Sequence, residues 1–202
     1  MDRIEYKIDI DKSKKIEFLN FLKENKYVKL HENRVVNSIY FDNLNFEIYN
    51  DSIEGLSPRK KIRLRYYGEE LFVKNKTKTL YETKFTKFSG RSKETKPITN
   101  VENVLNNGVF DNRYGVCYPK TIVSYVRSYY SVDQFRVTLD ENLSFSVFDR
   151  DLLKKNIFFS DNIIVEIKNN NIQELDNMKK IFPFKETRFS KYCQSIEALN
   201  LC

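Results

Sequence analysis

The sequence predicts an α+β fold: an antiparallel sheet, closed or nearly closed into a barrel with a polar, basic bore, and flanked by amphipathic helices. Three observations carry this. Segment after segment alternates polar and apolar residues with the period of two that a strand with unlike faces requires. Shorter stretches between them repeat apolar residues at helical spacing. The polar strand faces mix Lys and Arg with Asp and Glu. The 202 residues are 41% hydrophobic and include 16 Phe and 13 Tyr, enough for a packed core and too apolar for a disordered chain. No Pro-, Gly- or Ser-rich stretch marks a linker, so residues 1–202 read as one domain.

The strands come in order. Arg3, Glu5, Lys7 and Asp9 share one face, opposite Ile4, Tyr6, Ile8 and Ile10. Over residues 36 to 42, Ser38, Tyr40 and Asp42 oppose Ile39 and Phe41. Arg59, Lys61, Arg63 and Arg65 then stand in a row against Ile62, Leu64 and Tyr66, before a turn at Gly68. Glu82, Lys84 and Thr86 oppose Tyr81, Thr83 and Phe85. Tyr125 and Arg127 share a face, Arg136, Thr138 and Asp140 share another, and Glu166 and Lys168 oppose Val165 and Ile167.

Helical spacing appears over residues 12 to 25, where Asp11 or Ser13 serves as cap and Ile16, Leu19 and Leu22 form the buried stripe. Pro97 opens a short helix to about residue 107, before Gly108. Residues 171 to 181, with Ile172, Leu175 and Met178, form a third, and Lys191 to Leu201 a fourth.

Charge narrows the function. There are 35 Lys and Arg against 28 Asp and Glu, hence 35 − 28 = +7, which attracts phosphates, nucleic acids or anionic membranes. The aromatics mostly alternate opposite the charges rather than beside them, so nucleic acid is not expected as a partner. Cys117, Cys193 and Cys202 make no C-x-x-C pair and His31 is the one histidine, which supports neither a zinc site nor a disulfide framework and suits a reducing compartment. The opening MDRIEYKIDI is too charged for a signal peptide and no apolar run is long enough to span a bilayer, so the expectation is a cytoplasmic protein without a membrane span.

A single charged strand normally turns its polar face to water. Repetition argues otherwise, because like charges opposed across strands repel and a bound polyanion would relieve them. By the same reasoning, replacing Arg63 or Arg65 with Ala should hold or raise the stability of the ligand-free protein. Carboxylates among the cations call for a divalent ion, Mn²⁺ or Mg²⁺, that binds acids on one side and phosphate oxygens on the other.

In sequence order these strands carry R-x-E-x-K (Arg3 to Lys7), V-x-S-I-Y-F-D (Val36 to Asp42), R-K-K-I-R-L-R-Y-Y (Arg59 to Tyr67), E-T-K (Glu82 to Lys84) and Y-V-R (Tyr125 to Arg127). R-V-T-L-D (Arg136 to Asp140), V-E-I-K (Val165 to Lys168) and F-S-K-Y (Phe189 to Tyr192) complete them. Together they resemble the VTC domain, the polyphosphate polymerase branch of the triphosphate tunnel metalloenzyme superfamily. The resemblance implies an eight-stranded antiparallel tunnel that binds ATP and polyphosphate. It implies Glu166 as the leading metal ligand, with Glu5, Glu82 and Asp140 behind it, and phosphate clamps at Lys7, Arg63, Arg65, Lys84, Arg127, Arg136 and Lys191. Arg59, Lys61, Lys168, Tyr40 and Ser190 join them as substrate-binding residues. The strand following Lys84 departs from the family pattern, leaving Lys87, Arg91 or Lys93 as the next clamp; Lys93 is taken as substrate-binding.

Transfer of the γ-phosphate of ATP to a polyphosphate end is the activity this implies, and an already ionised phosphate nucleophile needs no His or Ser base. A hydrolase of triphosphate or short polyphosphate, with Glu5 or Glu82 activating water, and a non-catalytic polyphosphate or inositol phosphate-binding module are the alternatives. Export across a membrane would require a separate membrane partner.

Overall fold

The computed structural model describes residues 4–69, 78–88, 90–149 and 157–202; Arg3 lies outside the described residues. The described residues form ten strands: Ile4–Asp11 (β1), Val28–Asp42 (β2), Arg59–Tyr67 (β3), Thr79–Lys87 (β4), Gly90–Ile98 (β5), Val109–Asp111 (β6), Gly115–Val132 (β7), Phe135–Val147 (β8), Phe158–Phe159 (β9) and Asn162–Asn169 (β10). Five α-helices accompany them: Lys15–Glu24 (α1), Glu47–Glu54 (α2), Val101–Asn107 (α3), Ile172–Ile181 (α4) and Lys191–Ala198 (α5).

The sheet is antiparallel in every described register and follows the path β1-β10-β8-β7-β2-β3-β4-β5, with β6 beside β7 and β9 beside β8. The path has eight members, and with the short β6 and β9 the described residues form ten strands rather than the eight expected. Closure is a different matter. Among the described residues no pairing joins β5 to β1, and β5 is exposed along nearly its whole length, so the sheet is open rather than a closed barrel.

The chain divides into two compact units. The first comprises Met1–Arg34, Tyr125–Leu143 and Phe159–Phe189. Its core is the apolar face of β1, β8 and β10, with Tyr6, Ile8, Val137, Leu139, Val165 and Ile167, covered by Phe18 and Leu22 of α1 and Leu175 and Met178 of α4. Burying these side chains stabilises the unit and leaves Glu5, Lys7, Arg136, Thr138, Glu166 and Lys168 together on the other face. The α1 stripe differs from expectation: residues 12 to 14 form a 3-10 turn, Ile16 is 71% exposed, and Phe18 takes the buried place. The side chain of Ile172 lies outside the described residues.

The second unit comprises Val35–Ser124, Ser144–Phe158 and Ser190–Cys202. Register sets Tyr40 opposite Arg63 and Arg63 opposite Glu82, and sets Lys61, Lys84 and Lys93 in one line across three strands. Helix α2 has no counterpart in the sequence reading. Its first turn hangs on Asp42 and Asn43, whose carboxylate and amide oxygens accept from the N–H groups of Ile48, Tyr49 and Glu47, and Gly55 ends it at φ +76°, a conformation that favours glycine. Pro97 belongs to β5 rather than to a helix, and α3 begins only after Asn100, whose side chain caps it.

Candidate functional site: two charged strand faces

In the first unit β1 and β10 place four charges in direct register. Lys7 stands opposite Glu166, and Lys168 stands opposite Glu5. Lys7 Nζ lies 2.9 Å from Glu5 and 3.8 Å from Glu166, and Lys168 Nζ lies 3.0 Å from Glu166 and 3.4 Å from Glu5. Two carboxylates and two ammonium groups thus share one patch, each acid facing both cations. Lys7 also donates to the Phe189 carbonyl at 3.5 Å.

Beside this quartet, Arg127 of β7 grips Asp140 of β8 through Nε at 2.5 Å and Nη2 at 2.7 Å, and reaches Glu166 at 3.9 Å. Asp140 is fully buried, so its charge is matched by a guanidinium fork rather than by water. Arg136, on the same face, stands opposite Lys168.

The second unit centres on Glu82, which is 1% exposed. Arg63 binds its Oε2 through Nε and Nη2, both at 2.7 Å, Arg65 approaches Oε1 at 3.6 Å, and Lys93 donates to Oε1. Burial alone would raise the Glu82 carboxyl, but the charge of Arg63 and the hydrogen bonds from Lys93 and Arg63 outweigh it and hold the group below its usual range. Arg63 Nη1 also donates to the Tyr40 hydroxyl at 3.1 Å. The Tyr40 ring stacks on Tyr192 at 5.2 Å, and Tyr192 donates to Asp42 at 2.6 Å.

Lys61 donates to the Ser190 hydroxyl at 2.6 Å, and that same hydroxyl accepts from the Cys193 N–H at the head of α5. Lys191, the first residue of α5, is buried, an expensive position for an ammonium group. Lys84 is half-buried between Lys61 and Lys93 in the register. Arg59 stands apart from this set: its Nη1 donates to the carbonyls of Gly55 and Leu56, which closes α2.

The four acids that the resemblance implies as metal ligands fall in different places. Glu5 and Glu166 come together; Asp140 is held by Arg127, and Glu82 sits among cations in the second unit. Among the described residues no group of three or more His, Cys, Asp or Glu side chains is close enough to hold a metal ion. A small hard cation nevertheless keeps several waters and binds through one or two carboxylates plus substrate phosphates. Glu5 and Glu166 would supply such a pair of carboxylates, with Lys7 and Lys168 as their present countercharge.

Asp42 is the residue whose importance the sequence reading missed. It is fully buried and accepts from Tyr192, Asn43, Ile48 and Tyr49; burial pushes its carboxyl up against those four hydrogen bonds. One signal was available, since F-D-N-L-N-F-E puts Asx residues just before a stretch that turns Ile48 and Ser52 inward at helical spacing.

The β-rich fold thus presents two cation-dense strand faces, each interrupted by buried carboxylates. The chain belongs to the VTC domain family, whose model matches residues 2–200. Its fold is similar to that of an adenylyl cyclase candidate from Hippeastrum described as having a dominant triphosphatase activity, at 13% identity and a TM-score of 0.60, over 98% of this chain and 96% of that one. An adenylate cyclase candidate from Vibrio parahaemolyticus matches at 15% identity and 0.56, over 98% of each chain. A chain of the Schizosaccharomyces pombe Mediator head module matches at 9% and 0.54, over 90% and 94%. Likeness at these identities is likeness of fold, which hosts more than one function. No curated protein sequence matches the chain. No helix among the described residues is long and apolar enough to cross a membrane.

Proposed function

We propose that this VTC-family chain is a cytoplasmic, metal-dependent phosphotransferase that moves the γ-phosphate of ATP onto the end of a polyphosphate chain inside a basic tunnel. The observation that carries the reading is the cross-strand line Lys61, Lys84 and Lys93 next to Glu82 with its arginines. Three lysines aligned across adjacent strands repel one another, a cost that a row of phosphates would offset. The match to the family over residues 2–200 supports treating residues 1–202 as one functional domain.

In this mechanism a terminal polyphosphate oxygen attacks the γ-phosphorus, the bond from that phosphorus to the β-γ bridging oxygen breaks, and ADP leaves with the electron pair. The chain's own residues hold and neutralise. Arg63 and Arg65, oriented by Glu82, Lys84, Lys61 with Ser190, and Lys191 grip phosphate oxygens in the second unit. Lys7, Arg127, Arg136 and Lys168 do so in the first. Tyr40 fixes the Arg63 guanidinium. Mn²⁺ or Mg²⁺ held by Glu166 and Glu5 would supply Lewis-acid neutralisation of phosphate charge. No general base is required, because the nucleophile is ionised at neutral pH.

The second reading, a triphosphatase, is favoured by the fold shared with the Hippeastrum protein. Weighing against it, Glu82 is held ionised below its usual range and is therefore a weak base for activating water. The test is incubation of the purified protein with ATP and Mn²⁺, following ADP, free phosphate and long-chain polyphosphate together. ADP with polyphosphate supports the transferase; ADP with equimolar free phosphate replaces it with the hydrolase; neither product leaves a binding module.

A further inference from the structure

The polar face of the first unit carries a further cation beside one assigned above. Tyr129 of β7 is only 6% exposed, and two guanidiniums lie on its ring: Arg34 of β2 at 5.9 Å from the centroid and Arg136 of β8 at 5.8 Å. Strand β7 lies between β2 and β8 in the sheet, so the two arginines reach the tyrosine from the strands on either side of it. His31 of β2 adds its own ring at 5.5 Å and 77°, edge to face. His31 and Arg34 lie outside every motif of the sequence, because nothing local marks them.

The electrostatics of this cluster are unbalanced. Among the described ion pairs none joins a carboxylate to Arg34 or Arg136, whereas the neighbouring Lys168 is answered by both Glu5 and Glu166. A ring face attracts cations, but two guanidiniums brought to one tyrosine still repel each other. Each is a planar fork suited to phosphate oxygens, and the ring positions both without consuming their N–H donors on an acid. The ligand should therefore be an anion rich in oxygens. It should also lack a base to stack, because the tyrosine face that a base would use is already covered.

We propose that Arg34, set by Tyr129 beside the clamp Arg136, extends the phosphate-binding face so that it engages a long inorganic polyphosphate chain at a point that a triphosphate does not reach. The subsite rests on the polyphosphate reading for its choice of ligand. It adds a residue, Arg34, that chain-length selectivity should depend on.

The test compares binding of inorganic tripolyphosphate and of a long inorganic polyphosphate to the full chain, to Arg34→Gln, and to Lys29→Gln. Lys29 is an exposed cation of the same strand that pairs with Glu32, so it reports on surface charge alone. Arg34 is exposed, so its replacement leaves the core intact. The expected result is that Arg34→Gln weakens binding of the long chain about tenfold, the worth of one charge-assisted contact, while tripolyphosphate binding is unchanged and Lys29→Gln matches wild type. Equal loss in both variants, equal loss for both ligands, or no loss in Arg34→Gln would each overturn the subsite and leave the proposed function standing. Wild-type protein that binds neither polyphosphate would overturn the proposed function itself. An oligoribonucleotide bound more tightly than polyphosphate in an Arg34-dependent way would reassign the subsite to nucleic acid.

Discussion

Tyr192 donates a 2.6 Å hydrogen bond to Asp42, joining positions 150 residues apart. Through it α5 is tied to the end of β2, and through the Tyr40 stack and the Tyr40–Arg63 hydrogen bond the tie continues to the Glu82 cluster. Replacing Tyr192 with Phe keeps the stacked ring and leaves Asp42 Oδ2 with the Tyr49 N–H. We expect a loss of about 1–3 kcal/mol, read as a lower denaturant midpoint at constant slope. The carboxyl of Asp42 is already raised by burial, and losing Tyr192 raises it further. A raised carboxyl contributes stability that is present below its unfolded value and lost as pH rises through the folded one, so the deficit of Tyr192→Phe should be larger at neutral pH than at acid pH.

Glu82 runs the other way. Its carboxyl is lowered, so its contribution is present above the ordinary glutamate value and lost as pH falls through the folded one. Glu82→Gln should cost about 3 kcal/mol at neutral pH, since it leaves Arg63 and Arg65 without their buried countercharge. Unfolding measured across the acid range should show that gap narrowing as pH drops below the usual carboxylate region. A gap independent of pH would mean that Glu82 acts through packing alone.

Arg63→Ala tests the repulsion argument directly. Read from the strand alone, removing this cation should spare or raise stability. In the structure Arg63 is 8% exposed and paired with a buried acid, so its removal strands Glu82 and should cost about 3 kcal/mol. Lys84→Ala, taken from the middle of the lysine line, should instead leave the melting temperature within a few degrees of wild type while weakening triphosphate binding.

Glu166→Gln preserves volume and removes one carboxylate from the Glu5–Glu166 pair. It should lower metal-dependent turnover at least about a hundredfold and weaken Mn²⁺ binding measured by calorimetry without nucleotide. Unchanged Mn²⁺ affinity together with normal turnover would remove Glu166 from the metal site.

The alternation of charge and apolar residues was enough to choose the fold class and to group the site residues by face. Every strand of the sequence reading is present, because period two is a local property set by which face is buried. Strand β2 was read from residue 36, but its first half, Val28 to Arg34, is exposed on both faces and so carries no alternation to read. Helix α2 was missed because its stability depends on caps from Asp42 and Asn43 more than on an extended apolar stripe.

What the sequence by itself determined is which residues share a strand face, and through the order of its motifs the VTC family. Which charges meet was decided by the tertiary structure. Arg63 and Glu82 pair because β3 and β4 adopt one register; a shift of one residue would turn every partner to the opposite face. The same holds for Glu5 with Lys168 and Lys7 with Glu166, and for the meeting of Arg34, Tyr129 and Arg136 from three separate strands. An alternating pattern fixes orientation within a strand, but the pairing of strands distant in the chain is set by how the apolar faces pack, and that packing is a property of the whole fold.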